Sequence, residues 1–222
     1  MSDELPRLAV CLLTYQRTEY AVRTVESLID NLRYEGEIGF YVADDGSEGA
    51  HVFAVMEALE AKEAKVFGSH SERLKSGPSW NRAVKNALEW ADYVLWLEDD
   101  WELGKELDVT PYVALLTERE DIGMVRLGYL AVNLKCLTVG HAGRHYLQMS
   151  RETQYAYSGN PGIRHRRYFD AYEWYPGDGR GPGDCEIWHD GKFRSKAGPE
   201  IWWPVDLGGW SVWGHIGEKQ SY

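Results

Sequence analysis

Continuous apolar runs alternate along the first hundred residues with stretches in which apolar residues recur three and four apart, and the two patterns predict strands and helices in turn. Leu8 to Leu13 is apolar at every position and reads as a strand buried on both faces. Thr18 can cap a helix with Glu19 in its first turn, and Val22, Val25, Leu28, Ile29 and Leu32 follow at helical spacing. Ile38 to Ala43 repeats the strand pattern. Val52, Val55, Met56 and Leu59 mark a second helix, and Val66-Phe67 a short strand. Gly77-Pro78 opens a third helix with Pro at its first position, where a missing N–H is harmless, and Trp80, Ala83, Val84, Ala87, Leu88 and Ala91 form its buried stripe. Tyr93 to Leu97 is then a fully buried strand that closes on Glu98, Asp99 and Asp100. Strands and helices in this alternation predict an α/β fold with a mostly parallel central sheet flanked by helices.

In a parallel sheet every strand ends at the same edge, and ligands bind in the crevice there. Three strand ends carry polar clusters: Thr14-Tyr15-Gln16-Arg17, Asp44-Asp45-Gly46-Ser47 and Glu98-Asp99-Asp100. Each alone is ordinary loop chemistry. Together they place two acidic turns and an arginine in one crevice, where buried carboxylates need a cation or hydrogen-bond donors. Neither GxxxxGK[ST] nor a GxGxxG turn is present, so a nucleotide held here would be gripped by acids and a metal, with Arg17 or the Gly77-Pro78 helix start offering donors to its phosphates.

Composition narrows the partners. The 222 residues suit one large domain or two small ones, and the net charge of -11 argues against nucleic acid or an anionic membrane. No apolar stretch approaches the ~20 residues of a membrane span. Cys11, Cys136 and Cys185 are odd in number and lack CxxC spacing, which predicts free thiols and a reducing cytoplasm. Ten Trp and fourteen Tyr are many for this length, with Trp188, Trp202, Trp203, Trp210 and Trp213 clustered late, and aromatic faces suit sugar rings as well as cores.

The order and spacing of Thr14-Tyr15-x-Arg17, Asp44-Asp45-Gly46-Ser47, Ser79-Trp80-Asn81-Arg82 and Glu98-Asp99-Asp100 resemble family 2 glycosyltransferases with the GT-A fold. The resemblance covers the first half closely. It implies a nucleoside, usually uridine, held by Thr14, Tyr15, Arg17, Asp44 and Asp45, with Asn81, Glu98 and Asp99 completing the nucleotide site. It makes Glu98-Asp99-Asp100 the DxD motif, with Glu98 on the ribose and Asp100 binding Mn²⁺ or Mg²⁺. A divalent cation there offsets the charge that grows on a nucleoside diphosphate as a sugar leaves.

The later chain carries weaker patterns. Met124 to Leu127 reads as a strand, and Val132 to Val139 with His145 to Met149 as a hairpin. Ser158 to Gly162 is a loop, and Arg164-His165-Arg166-Arg167 reads as a solvated helix start in preference to a phosphate site. Gly177 to Gly183 is flexible by composition and ends at Asp184-Cys185-Glu186. The resemblance makes Asp184 the catalytic base with Glu186 in reserve, although Asp after a Gly-rich loop also serves as an N-cap. It also makes His215, in Trp213-Gly214-His215, a further metal ligand. The expectation is a single GT-A domain over 1–222, with a nucleotide half at 1–102 and an acceptor half at 103–222. Its expected activity is metal-dependent inverting transfer from a UDP-sugar to a hydroxyl of a glycan, lipid or protein. The contrasting reading is a nucleotide- or carbohydrate-binding module that lost turnover, and the acidic triplet together with a base favours the enzyme.

Overall fold

β-branched and leucine-rich runs extend the backbone, and wherever both faces are apolar the strand must be covered on both sides. In the computed structural model, which describes residues 5–128, 130, 134–172, 174–176, 182–207 and 212–217, these runs become β1 (Leu8–Thr14), α1 (Thr18–Asn31), β2 (Leu32–Arg33), β3 (Ile38–Asp44), α2 (Gly49–Ala61), β4 (Val66–Ser71), α3 (Ser76–Trp90) and β5 (Tyr93–Glu98). The chain continues through β6 (Trp101–Leu103), β7 (Leu107–Asp108), α4 (Thr110–Glu118), β8 (Ile122–Arg126), β9 (Cys136–His141), β10 (Arg144–Met149) and β11 (Gly162–His165). It ends with α5 (Arg166–Tyr172), α6 (Pro182–Ser195), β12 (Glu200–Pro204), a 3-10 turn at Val205–Leu207, and β13 (Trp213–His215).

Nine strands form one sheet in the order β4-β3-β1-β5-β11-β8-β12-β10-β9, and β10 and β11 alone run against the other seven. From β1 the chain steps outward to β3 and β4, then returns to the opposite side of β1 as β5, so the sheet reverses its winding between β1 and β5. A crevice opens where neighbouring crossovers part in this way. The register pairs Leu13 with Glu98 and Thr14 with Asp44, which brings three strand ends level. The predicted α3 stripe is buried throughout, and Trp80 meets Trp96 of β5 edge-on at 5.2 Å. No helix among the described residues is long and apolar enough to cross a membrane.

Several boundaries and roles differ from expectation. Arg17, not Thr18, occupies the α1 N-cap, because the Thr18 hydroxyl is taken by His51 Nδ1 at 2.9 Å. α3 starts at Ser76 after Lys75 (φ 67), so Pro78 is its third residue. β4 is longer than Val66-Phe67, since its polar end pairs with β3 as far as Asp44–Ser71. β9 begins at Cys136, and Val132 lies outside the described residues, as do 177–181 and Trp210. The basic run does open a helix, α5 at Arg166, but it is not solvated throughout: Arg164 is fully buried in β11, and Arg167 Nη1 donates to the carbonyls of Leu116 and Arg119 at the end of α4 and of Ile122 at the start of β8. The late tryptophans Trp202, Trp203 and Trp213 are core residues. None of the three cysteines forms a disulfide.

Candidate active site

β1 ends in a tight bend. Gln16 adopts φ 58 and donates its N–H to Ser47 Oγ at 2.8 Å, which ties this bend to the turn after β3. The bend sends Arg17 back over the end of β5, where Nη1 meets Asp100 Oδ2 at 2.6 Å and Nη2 pairs with Asp99 Oδ1. Asp99 also accepts from the Thr14 hydroxyl at 2.7 Å and the Tyr15 N–H at 3.1 Å. Thr14 spends its only hydrogen on Asp99, so it must accept from His51 Nε2–H at 2.8 Å, and His51 Nδ1 is left to accept from Thr18. Burial, opposed by Asp44, lowers the His51 pKa, in keeping with this neutral tautomer. His51 carried no signal in the sequence beyond one polar position on an apolar helix.

The two acids at the end of β3 divide. Asp44 is fully buried, and its Oδ2 accepts from Gly46 N–H, Ser47 N–H and the Ser71 hydroxyl, which closes the turn. Asp45 lines the crevice with Leu13, Thr14, Tyr15, Arg17 and Glu98, around roughly 340 Å³ open to solvent. Its carboxylate receives Leu74 N–H at 2.8 Å and Arg73 Nη1 at 3.0 Å. The Arg73 guanidinium also lies 3.9 Å over the Tyr15 ring. Arg73 was missed in sequence because it sits alone between predicted elements, and only the fold brings it to Asp45 and Tyr15.

Charge crowds the β5 end. Burial raises the Glu98 carboxyl to about 8, with Asp100, Glu186 and Asp99 adding to the rise and Arg17 opposing it. Asp99 is raised by burial to about 6 against the opposing pull of Arg17, Thr14 and Tyr15. Asp100 Oδ1 is buried with no hydrogen-bond partner among the described residues, and Oδ2 lies 3.3 Å from His215 Nε2. β13 brings His215 there by pairing with β6, and Ile216 N–H donates to the Asp100 carbonyl at 2.8 Å. Gly217 follows, and a Cβ on it would overlap the Asp100 carboxylate. No group of three or more His, Cys, Asp or Glu that could hold a metal is gathered among the described residues. An orphaned carboxylate oxygen beside an imidazole still fits a divalent cation that takes its other ligands from phosphate oxygens.

A second pocket, about 280 Å³ with the space it shares with open solvent, adjoins the first through Leu13, Ser76 and Glu98, with Trp80, Trp96, Tyr175 and Glu186 among its walls. Asn81 does not line either cavity: its side-chain amide exchanges hydrogen bonds of 2.8 and 3.1 Å with the Tyr175 backbone and so holds one wall. Glu186 Oε1 accepts the Gly159 N–H, and a Cβ at Gly159 would come within 2.9 Å of that oxygen. Asp184 sits two residues earlier on α6, just over half a turn away, exposed, and lines neither cavity.

The sequence matches the model of Glycosyl transferase family 2 over residues 9–166. Among solved structures, Staphylococcus aureus TarS 1-349 in complex with UDP superposes with a TM-score of 0.61 at 16% identity, covering 89% of this chain and 60% of that one. GalNAc-T7 with UDP, GalNAc and Mn²⁺ gives 0.69 at 14% identity, covering 100% of this chain and 46% of that one. The mannosyltransferase PcManGT from Pyrobaculum calidifontis, in complex with GDP-Man and Mn²⁺, gives 0.53 at 16% identity, covering 82% and 51%. The chain therefore spans between 46% and 60% of the lengths of these solved chains, and the likeness speaks for the GT-A fold. No curated protein matches it.

Proposed function

The chain belongs to glycosyl transferase family 2, and from that premise we propose that it transfers a sugar from a UDP-sugar to an acceptor hydroxyl with inversion and with the help of Mn²⁺ or Mg²⁺. The observation that carries this reading is the convergence of Thr14, Tyr15, Arg17, Asp45, Glu98 and Asp99 on one crevice that opens into a second cavity ending at Glu186. The uridine would lie along Tyr15, Asp45 and Arg73, with the ribose toward Glu98. Asp44 and His51 would act from beneath, one through the turn and the other through Thr14, while Asn81 positions Tyr175.

Asp100 and His215 would hold the cation, which when bound supplies Lewis-acid stabilisation to the departing diphosphate. Arg17 already pairs with Asp99 and Asp100. It can turn a donor N–H to a phosphate once a cation takes over that charge. For the base we favour Glu186 over Asp184, because Glu186 faces the cavity next to Glu98 and has its orientation fixed by Gly159. Its carboxylate would take the acceptor hydroxyl proton as that oxygen attacks the anomeric carbon opposite the leaving group. Calorimetric titration with UDP, with and without Mn²⁺, tests the donor half: binding strengthened by Mn²⁺ is expected, and no binding in either condition would sink the reading.

A further inference from the structure

Arg17 and His215 approach the same oxygen. Arg17 Nη1 lies 2.6 Å from Asp100 Oδ2, and His215 Nε2 lies 3.3 Å from it. The carboxylate has little room to turn from one to the other, because Gly217 passes so close that a Cβ there would overlap Oδ2, and Ile216 N–H holds the Asp100 carbonyl at 2.8 Å. A divalent cation shared by Asp100 and His215 would therefore stand against a guanidinium, and two positive groups on one buried carboxylate oxygen repel. Arg17 is the group that can yield. Its Nη2 pairs with Asp99, so releasing Asp100 leaves the side chain anchored. Its Nε is buried with no hydrogen-bond partner among the described residues, and Arg17 is the only basic side chain among the described residues that line the first crevice.

From this shared oxygen we propose that Arg17 is the resident counter-ion of Asp100, exchanged for the divalent cation and then turned to the diphosphate, so that cation and nucleotide each bind well only with the other. The inference rests on the donor reading above and concerns how that site is loaded. Without nucleotide, a cation that takes Asp100 leaves Arg17 short of a partner. Without a cation, Asp100 keeps Arg17 from the diphosphate, since a buried charge gives up its partner only at a cost. With both present, Asp100 has the cation and Arg17 has Asp99 and a phosphate. The coupling is reciprocal, as linkage requires.

Two measurements on the full chain test it. Electron paramagnetic resonance titration with Mn²⁺ alone gives the cation's own affinity, and calorimetric titration of UDP with and without saturating Mn²⁺ gives the factor by which the cation strengthens nucleotide binding. That factor is a ratio within one protein, so a general weakening of the site cancels from it. In Arg17→Gln, Mn²⁺ alone should bind ~10-fold tighter, on the scale of one close like-charge contact removed, and the coupling factor should fall ~10-fold or more. Arg17→Lys keeps the charge but cannot span both carboxylates, and its factor should lie between the two. An arginine that merely repelled the cation and stayed on Asp100 would raise Mn²⁺ affinity equally with and without UDP. A coupling factor unchanged in the variants therefore overturns the proposal and leaves the donor reading standing. Failure of the wild type to bind UDP, or of Mn²⁺ to strengthen that binding, overturns both.

Discussion

Charged groups at the carboxyl ends of β1 and β5 satisfy one another, whereas beneath the far half of the site they satisfy the backbone. On the β1–β5 side Arg17, Thr14 and the Tyr15 N–H all converge on Asp99. On the β8–β11 side, buried Arg164 grips the carbonyls of Gly162 and Ser158, Arg126 those of Tyr155 and Ala156, and Arg151 those of Phe193, Lys196, Gly198 and Pro199. Side-chain pairs can be regrouped when a cation or phosphate enters. Carbonyls gripped by guanidiniums belong to the backbone of the fold itself, so the far side is the rigid one and the near side the responsive one.

The largest effect should follow from breaking the rigid side. Arg164→Leu would leave buried carbonyls without donors, and urea unfolding should show a loss of ~3–5 kcal/mol, the scale for removing one member of a buried charged network. Should that variant unfold at the wild-type urea concentration, the contrast between the two sides is wrong. Next in size is the chemistry at the seam between them. Glu186→Gln should cut transfer by ~10²-fold or more with donor affinity preserved, while Asp184→Asn should leave transfer within a few-fold. Product formation measured for both variants decides between the two carboxylates, and the reverse ranking would restore Asp184 as the base.

On the responsive side, Asp100→Asn should weaken Mn²⁺-dependent UDP binding at least tenfold, ~1.4 kcal/mol, with little change when the cation is absent. Titration in both conditions reads this directly, and a loss independent of Mn²⁺ would remove Asp100 from the cation's coordination. A comparable figure comes from pH acting on the rigid side. His189 is fully buried against Tyr157, Tyr175 and Trp188, and neither ring nitrogen has a hydrogen-bond partner among the described residues. Burial pushes its pKa down to about 3, with Arg164 and Lys192 reinforcing the shift. As pH falls below the ordinary value near 6.5, the unfolded chain takes up a proton that the folded chain refuses. The stability it supports is therefore complete above ~6.5 and is lost by up to ~1.4 kcal/mol per pH unit below it. Urea midpoints at several pH values should fall less steeply between pH 6.5 and 5 in His189→Gln than in the wild type.

The smallest effect lies far from the site, in the hairpin of β9 and β10. Ala142 (φ 48) and Gly143 (φ 78) both adopt left-handed backbone there, as a two-residue turn between twisted strands requires. Asn tolerates that conformation better than Ala, so Ala142→Asn should raise stability by a few tenths to ~1 kcal/mol. A lower melting temperature in that variant would contradict the turn assignment.

These contrasts also explain what could be read in the chain before its structure. The β1–β5 side rests on continuous apolar strands, and in a parallel sheet the identity of a strand is enough to say where its end will lie. Asp45, Glu98 and Asp99 could therefore be gathered into one crevice from pattern alone. Asp44 could not be told from Asp45, because the two are adjacent at the end of β3 and only the side-chain direction sends one into the turn and the other into the crevice. Arg164 could not be read at all: an arginine in a basic tetrad looks solvated, and what buries it is a set of carbonyls that no sequence displays. Glu186 and Asp184 differ by two helical positions, and choosing between them required knowing where Gly159 passes.

The pairing of Leu13 with Glu98 and of Thr14 with Asp44 gives the site a parity. Side chains on a strand alternate faces, so adding one residue within β1 would invert every position beyond it and turn the Thr14 hydroxyl away from Asp99. The same insertion between β2 and β3, at Tyr34 to Glu37, would be absorbed before the next strand begins. Length changes in this chain should thus be judged by whether they fall before a strand starts or inside it, and an even count inside β1 should be less harmful than an odd one.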